Sequence, residues 1–418
     1  MSVIERLKKH ILVDGFHVTV DLKKSEGSWI VDADTGKRYL DCYSQFASQP
    51  LGWNHPGLLK ARDKLADAAL HKLANSDMYS EPYCEFVENF AAITPDFNYY
   101  FFIDGGALGV ENALKAAFDW KAQKSDMKSY NDVNALKVIG FRNAFHGRTG
   151  YTMSLTNTEE NKIKWFPKFH WEHVTNPTIS NPYIARSPDS WEESCLGLIK
   201  THLLGNKVAA VILETIQGEG GDNHYRPEFY VKLRELVDKH DAMLIFDEVQ
   251  TGMGLTGKMW AYEHFGVVPD MMCFGKKTQV CGFCSTNRID SVPSNVFHTS
   301  SRINSTWGGN IVDMVRSTAI METIKEENLV ENAAVVGEHF LNRLKELEGD
   351  QVSNVRGRGL MVAFDLKDTP HRNAVYDKLH DNMLALKSGE RSLRFRPVLT
   401  FTKDEADQAV EFIKKALS

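Results

Sequence analysis

Between about residue 60 and residue 310 the chain alternates short apolar runs with longer amphipathic stretches, and that alternation leaves few folds open. The runs are "YYFFI" (99–103), "KVIGF" (137–141), "VAAVIL" (208–213), "AMLIFD" (242–247) and "MMCF" (271–274). Runs this short and this continuously apolar read as strands covered on both faces, with the amphipathic stretches between them as the covering helices. The expected fold class is therefore α/β, with a large domain over 60–310 built on a mostly parallel sheet.

The flanks read differently. "SWIVDADTGKRYLDCYS" places two β-type runs around the turn formers Asp34, Thr35 and Gly36, which predicts a small meander in an N-terminal segment, 1–59. The last part, 311–418, mixes helices with strands such as "GLMVAFDL" (359–366) and closes on "TKDEADQAVEFIKKAL", where Thr402 and Glu405 form a capping box. It is expected to form a smaller α+β domain that the N-terminal segment joins.

A net charge of −6 offers no general attraction for nucleic acid or an anionic lipid surface, so any bound anion must be held by local groups. The expected partner is a small molecule, with no nucleic acid and no membrane. The N-terminal "MSVIERLKKHILVDGFHV" breaks its apolar residues with charges, and no apolar run is long enough to span a bilayer, so a cytoplasmic location is expected. The six cysteines, Cys42, Cys84, Cys195, Cys273, Cys281 and Cys284, do not form a disulfide framework and are expected to be reduced.

Two adjacent lysines follow the last apolar run, in "DMMCFGKKTQVCGF" (270–283). A phosphate-binding P-loop would need a glycine where Asp270 stands and a Ser or Thr where Lys277 stands, so that reading fails. Cys281 and Cys284 have redox spacing, but they come after several strands of a large domain, where a structural pair is the better reading. Zinc would need two more ligands, and none is evident. What remains is a lysine at a strand end, placed for covalent chemistry.

The other strand ends support that choice, because open α/β sheets bind ligands beyond the carboxyl ends of their strands. "YYFFI" leads into "DGGALGVENALKAAFDW", where Val110, Ala113, Leu114 and Ala117 have helical spacing. Gly105, Gly106 and Ala107 then lie in a strand-to-helix turn, which is either a plain connector or a site for a phosphate at a helix N-terminus. "AMLIFDEVQTG" places Asp247 and Glu248 after a buried strand, where an acid needs a cationic or hydrogen-bonding partner. A pyridoxal 5'-phosphate (PLP) ring would satisfy both ends and would account for Lys276, 29 residues beyond Asp247.

At this point the residues resemble a family, the class III PLP-dependent aminotransferases of fold type I. The markers are "LGWNHP" (51–56), "GGALGVENALK" (105–115), "FHGRT" (145–149), "ETIQGEGG" (214–221), "LIFDEVQTGMGLTGK" (244–258), "GKK" (275–277), "STWGGN" (305–310), "VRGRGL" (355–360) and "LRFRPVLTF" (393–401). Two departures from the common pattern, Ala107-Leu108-Gly109 in the phosphate turn and "KTQVCG" after the lysine, match the lysine epsilon-aminotransferase branch.

The resemblance implies Lys276 as the Schiff-base lysine and Asp247 as the partner of the ring nitrogen. It implies phosphate binding by the backbone of Gly106 and Ala107, stacking by Phe145, a hydrogen bond from Gln250 to the ring's phenolic oxygen, and Thr306 reaching the phosphate of a neighbouring subunit in a homodimer with shared active sites. His146, beside the stacking residue, is read as packing or catalysis. The implied reaction moves the terminal amine of L-lysine to 2-oxoglutarate. Arg148 would hold the lysine carboxylate and Arg394 the alpha-carboxylate of the keto acid, with Glu219 covering Arg394 in the first half-reaction. Read without the family, Arg394 is a strand-edge charge and Glu219 a loop residue. Transfer from another omega-amine, ornithine or 4-aminobutyrate, and a non-catalytic PLP-binding protein are the alternatives.

Overall fold

The computed structural model describes residues 1–178 and 188–418. All five apolar runs form strands of one seven-stranded sheet. In chain order its strands are β1 (Tyr99–Ile103), β2 (Lys137–Phe141), β3 (Glu172–Val174), β4 (Val208–Glu214), β5 (Met243–Asp247), β6 (Met271–Phe274) and β7 (Cys281–Ser285). The order across the sheet is β1-β7-β6-β5-β4-β2-β3. Neighbours from β3 through β6 pair in parallel, whereas β7 runs antiparallel to both β6 and β1. Every residue of β4 and β5 is buried, which is why these central strands read as continuous apolar runs.

Helix α1 (Gly106–Lys124) follows β1 and lies on the sheet, with Val110, Ala113, Leu114 and Ala117 fully buried. It sits unusually close to β7. A β-carbon on Gly109 would fall 2.7 Å from the carbonyl oxygen of Gly282, and one on Gly282 would overlap the carbonyl oxygen of Phe101. Only glycine fits at either position. The two departures from the family pattern are thus neighbours in space: Gly109 lets the helix rest on the backbone of Gly282, and Gly282 in turn makes room for the Phe101 carbonyl on β1.

The N-terminal hairpin pairs Trp29–Val31 with Arg38–Asp41 about the expected turn. Its third strand is not local, as a meander would require: Met383–Leu384 supplies it, parallel to Arg38–Asp41. A four-stranded antiparallel sheet in the C-terminal part holds Met361–Leu366 beside Ser392–Phe395, the strand that carries Arg394. The last helix, Lys403–Leu417, has the Thr402–Glu405 capping box and buries Ala406, Ala409, Val410 and Ile413. Among the described residues no helix is long and apolar enough to cross a membrane.

Candidate active site

The carboxyl ends of β1, β2, β4, β5 and β6 converge on one cavity of about 810 Å³, lined among others by Gly106, Ala107, Phe145, Asp247, Lys276 and Arg394. Each strand end contributes through the loop that follows it. After β1, Gly105 takes φ 98 and opens α1 without any side-chain cap, so the first backbone N–H groups of a 19-residue helix face an open site. Beside it the methyls of Val249 close one wall, and a β-carbon on Gly106 would come within 2.9 Å of them.

After β5, Asp247 is buried at 6% exposure. One carboxylate oxygen accepts the Val249 backbone N–H at 3.1 Å, and the other lies 2.7 Å from His146 Nδ1, which donates to it. Burial alone would lower the His146 imidazole, but the hydrogen bond and charge of Asp247, with Glu214 behind, leave it above its ordinary value. Glu214, at the end of β4, is pushed up to about 7 by burial; it accepts the backbone N–H groups of Phe145 at 3.0 Å and Gly218 at 2.9 Å. His146 is therefore a positioning group behind Asp247, and its Nε2 has no partner among the described residues. Glu248, the other acid of this strand end, turns away to accept the backbone N–H groups of Ala261 at 3.0 Å and Tyr262 at 2.7 Å.

After β6 the two lysines separate. They occupy a single 3-10 turn, Lys276–Thr278, not a strand, and Lys276 itself has φ 55. A left-handed lysine is a strained choice of the kind that accumulates at functional sites. Lys276 lines the cavity, and burial lowers its amine, against the attraction of Asp247. Lys277 points the other way, is 2% exposed, and donates to the carbonyls of Gln250 at 2.6 Å and Ala47 at 3.2 Å.

The second acceptor explains Lys277. Ser44, Gln45, Phe46 and Ala47 form a left-handed turn with φ between 41 and 63, although none is glycine. Each such residue costs on the order of 1–2 kcal/mol. Lys277 on Ala47, Gln279 Nε2 on the Ser48 carbonyl at 2.9 Å, and Ser44 Oγ on the Arg396 carbonyl hold the turn. Its Gln45, Phe46 and Ser48 line the cavity.

Three further cations border the same space. Arg394 is 3% exposed and has neutral partners, Gln250 Oε1 at 3.4 Å and the Lys387 carbonyl at 3.2 Å. Gln250 Oε1 also accepts Arg396 Nε at 3.3 Å, which leaves the amide nitrogen of Gln250 as its donor. Arg148 is exposed. Lys162 bonds Glu219 directly, and Thr158 Oγ1 donates to the same carboxylate oxygen at 2.8 Å. Burial would raise the Glu219 carboxyl, but Lys162, Thr158 and the charge of Arg394 hold it below its ordinary value.

Of the residues expected from sequence, Gly106, Ala107, Phe145, Arg148, Glu219, Asp247, Gln250, Lys276 and Arg394 share this cavity. Thr306 does not: it is exposed in the segment before Asn310, and its carbonyl accepts Ser76 Oγ at 3.2 Å. Cys281 and Cys284 are buried in β7, and burial raises both thiols, which leaves them unreactive. Sequence reasoning missed the left-handed turn and Lys162. No glycine or asparagine marks the first, and the second reads as a solvated charge in "NTEENKIKWF".

The geometry fits PLP: a buried carboxylate for a ring nitrogen, an amine, an aromatic wall and an uncapped helix N-terminus for a phosphate. Residues 13–417 match the family described as aminotransferase class-III. The L-lysine-epsilon aminotransferase of Amycolatopsis lactamdurans is 45% identical, with 100% of this chain and 96% of that protein covered. That of Streptomyces clavuligerus is 46% identical over 100% and 94%. The solved lysine aminotransferase of M. tuberculosis, in its internal aldimine form, superposes with a TM-score of 0.94 at 45% identity, covering 99% of this chain and 98% of that one.

Proposed function

The chain belongs to the class-III aminotransferases, PLP-dependent enzymes of the α/β fold described above, and on that premise we propose that it transfers the terminal amine of L-lysine to 2-oxoglutarate. The products would be glutamate and 2-aminoadipate semialdehyde, which cyclises to piperideine-6-carboxylate. One observation carries this reading: a buried arginine and an exposed arginine border one cavity with a carboxylate between the buried one and a lysine. A substrate presenting its far amine keeps its carboxylate distant from the reacting carbon, whereas a keto acid presents its carboxylate beside it. Arg148 suits the first and Arg394 the second, each by bidentate pairing.

Bound here, PLP supplies an electron sink for the carbon that loses its proton. Asp247, oriented by His146, would keep the ring nitrogen protonated. Gly106 and Ala107 would hold the phosphate through backbone N–H groups, Phe145 would cover the ring, and the Gln250 amide would donate to the phenolic oxygen. Lys276 Nζ would hold the cofactor and would serve as the base for the proton on the amine-bearing carbon. Its lowered basicity in a desolvated site suits both roles. With 2-oxoglutarate as acceptor, kcat/KM for L-lysine should exceed that for ornithine or 4-aminobutyrate. A donor panel that ranks either of those above lysine overturns the lysine assignment.

Thr306 lies outside the cavity of its own chain and on an exposed segment, which fits a contact with the cofactor phosphate of a second subunit. The functional unit is then a homodimer with shared active sites, and PLP stabilises it by mass action. Sedimentation should show a dimer at assay concentration; a fully active monomer removes this assignment.

A further inference from the structure

Glu219 is placed between two cations and is bonded to only one of them. Its backbone is fixed: the carbonyl accepts the Gly389 N–H at 2.9 Å, and that of the preceding Gly218 accepts Ser388 Oγ at 2.7 Å. The side chain is the part free to choose a partner. Its carboxylate now rests on Lys162 Nζ and Thr158 Oγ1, while among the described residues Arg394 bonds only uncharged partners. Lys162 ends the single 3-10 turn Glu160–Lys162, with its Nζ 5.9 Å from the centre of the Phe145 ring, so it belongs to the wall of the site. It is also in reach of Glu159, at 3.1 Å, a carboxylate that faces solvent.

From this arrangement we infer that Lys162 is a positioning residue that receives the Glu219 carboxylate and so leaves Arg394 free for the alpha-carboxylate of the keto acid. The inference rests on the assignment of Arg394 to that carboxylate. Its physical basis is competition. A partly buried carboxylate needs a cation, and the site offers it two. When Glu219 sits on Arg394, the guanidinium is neutralised and an apolar or amine-bearing chain can pass. When Glu219 sits on Lys162, Arg394 is a bare cation in a buried site and selects an anion. Deleting the Lys162 charge removes the second resting place, so Glu219 moves to Arg394 and competes with the incoming carboxylate. Thr158, a neutral donor, cannot replace the ammonium.

The test separates the two half-reactions in single-turnover measurements. In Lys162→Met the ratio of kcat/KM for 2-oxoglutarate to that for L-lysine should fall roughly tenfold, the size expected for one charge-assisted contact. Lys162→Arg should restore the ratio. Glutarate, which has two carboxylates and no keto group, should bind Lys162→Met about tenfold more weakly by calorimetry. Adding Lys162→Met to Glu219→Gln should change the ratio no further, since no carboxylate remains to be received. Equal loss in both half-reactions, an unchanged ratio, or a persisting effect in the Glu219→Gln background overturns the inference. Only the last would mean that Lys162 touches the keto acid itself. Failure of the wild-type enzyme to accept 2-oxoglutarate at all would instead overturn the reading on which the inference rests.

Discussion

Lys276→Ala should reduce turnover by roughly two to four orders of magnitude, the range lost when a positioned acid–base group is removed. The neighbouring substitution should behave quite differently. Lys277 donates to two backbone carbonyls inside the protein, so Lys277→Met leaves both acceptors unpaired and should cost about 1–3 kcal/mol of stability. Borohydride reduction of the PLP-loaded protein, followed by peptide mapping, should find the modified lysine at 276 in the wild type and in Lys277→Met. A modified Lys277 would overturn the assignment. A thermal melt should show the opposite pattern, with Lys277→Met the less stable of the two variants.

Asp247→Asn should give the second large loss. The substitution keeps the shape of the side chain and an acceptor for His146 Nδ1, but it removes the charge that holds a ring nitrogen protonated. Breaking a buried ion pair by neutralising one partner costs about 3–5 kcal/mol, so turnover should fall by at least about a hundredfold. Cofactor retention should survive, because the phosphate cradle at α1 is untouched. Turnover within a few fold of the wild type would mean that Asp247 does not serve the ring nitrogen.

The legible parts of this molecule were those where one physical demand acted on consecutive residues. Strands β2, β4, β5 and β6 lie inside a covered sheet, so their burial is written as apolar runs, whereas β1 lies at the sheet edge and buries only Phe102 and Ile103. Strand β3 is three residues at the sheet edge, Glu172–Val174, and a half-polar edge strand leaves no such run. The candidate cofactor residues were legible because they stand just past the runs. Lys276 and Lys277 point apart although they are adjacent in sequence. The separation comes from a left-handed residue in a 3-10 turn, which no propensity for lysine announces. The turn at Ser44–Ala47 was illegible for a related cause: its conformation is imposed by Lys277 and Gln279, more than 200 residues away in sequence. The resting place of Glu219 could not be read either, since its partner Lys162 looks like any exposed charge.

The contact between Gly109 and Gly282 carries a different kind of consequence. Because the helix backbone rests on the strand backbone with no side chain between them, the height of α1 above β7 is set by the bare Gly109. That height also fixes how far the first amides of α1 project into the phosphate site. The two glycines therefore answer to different neighbours: a side chain at 109 would lift the helix and withdraw those amides, whereas one at 282 would press on the Phe101 carbonyl of the neighbouring strand.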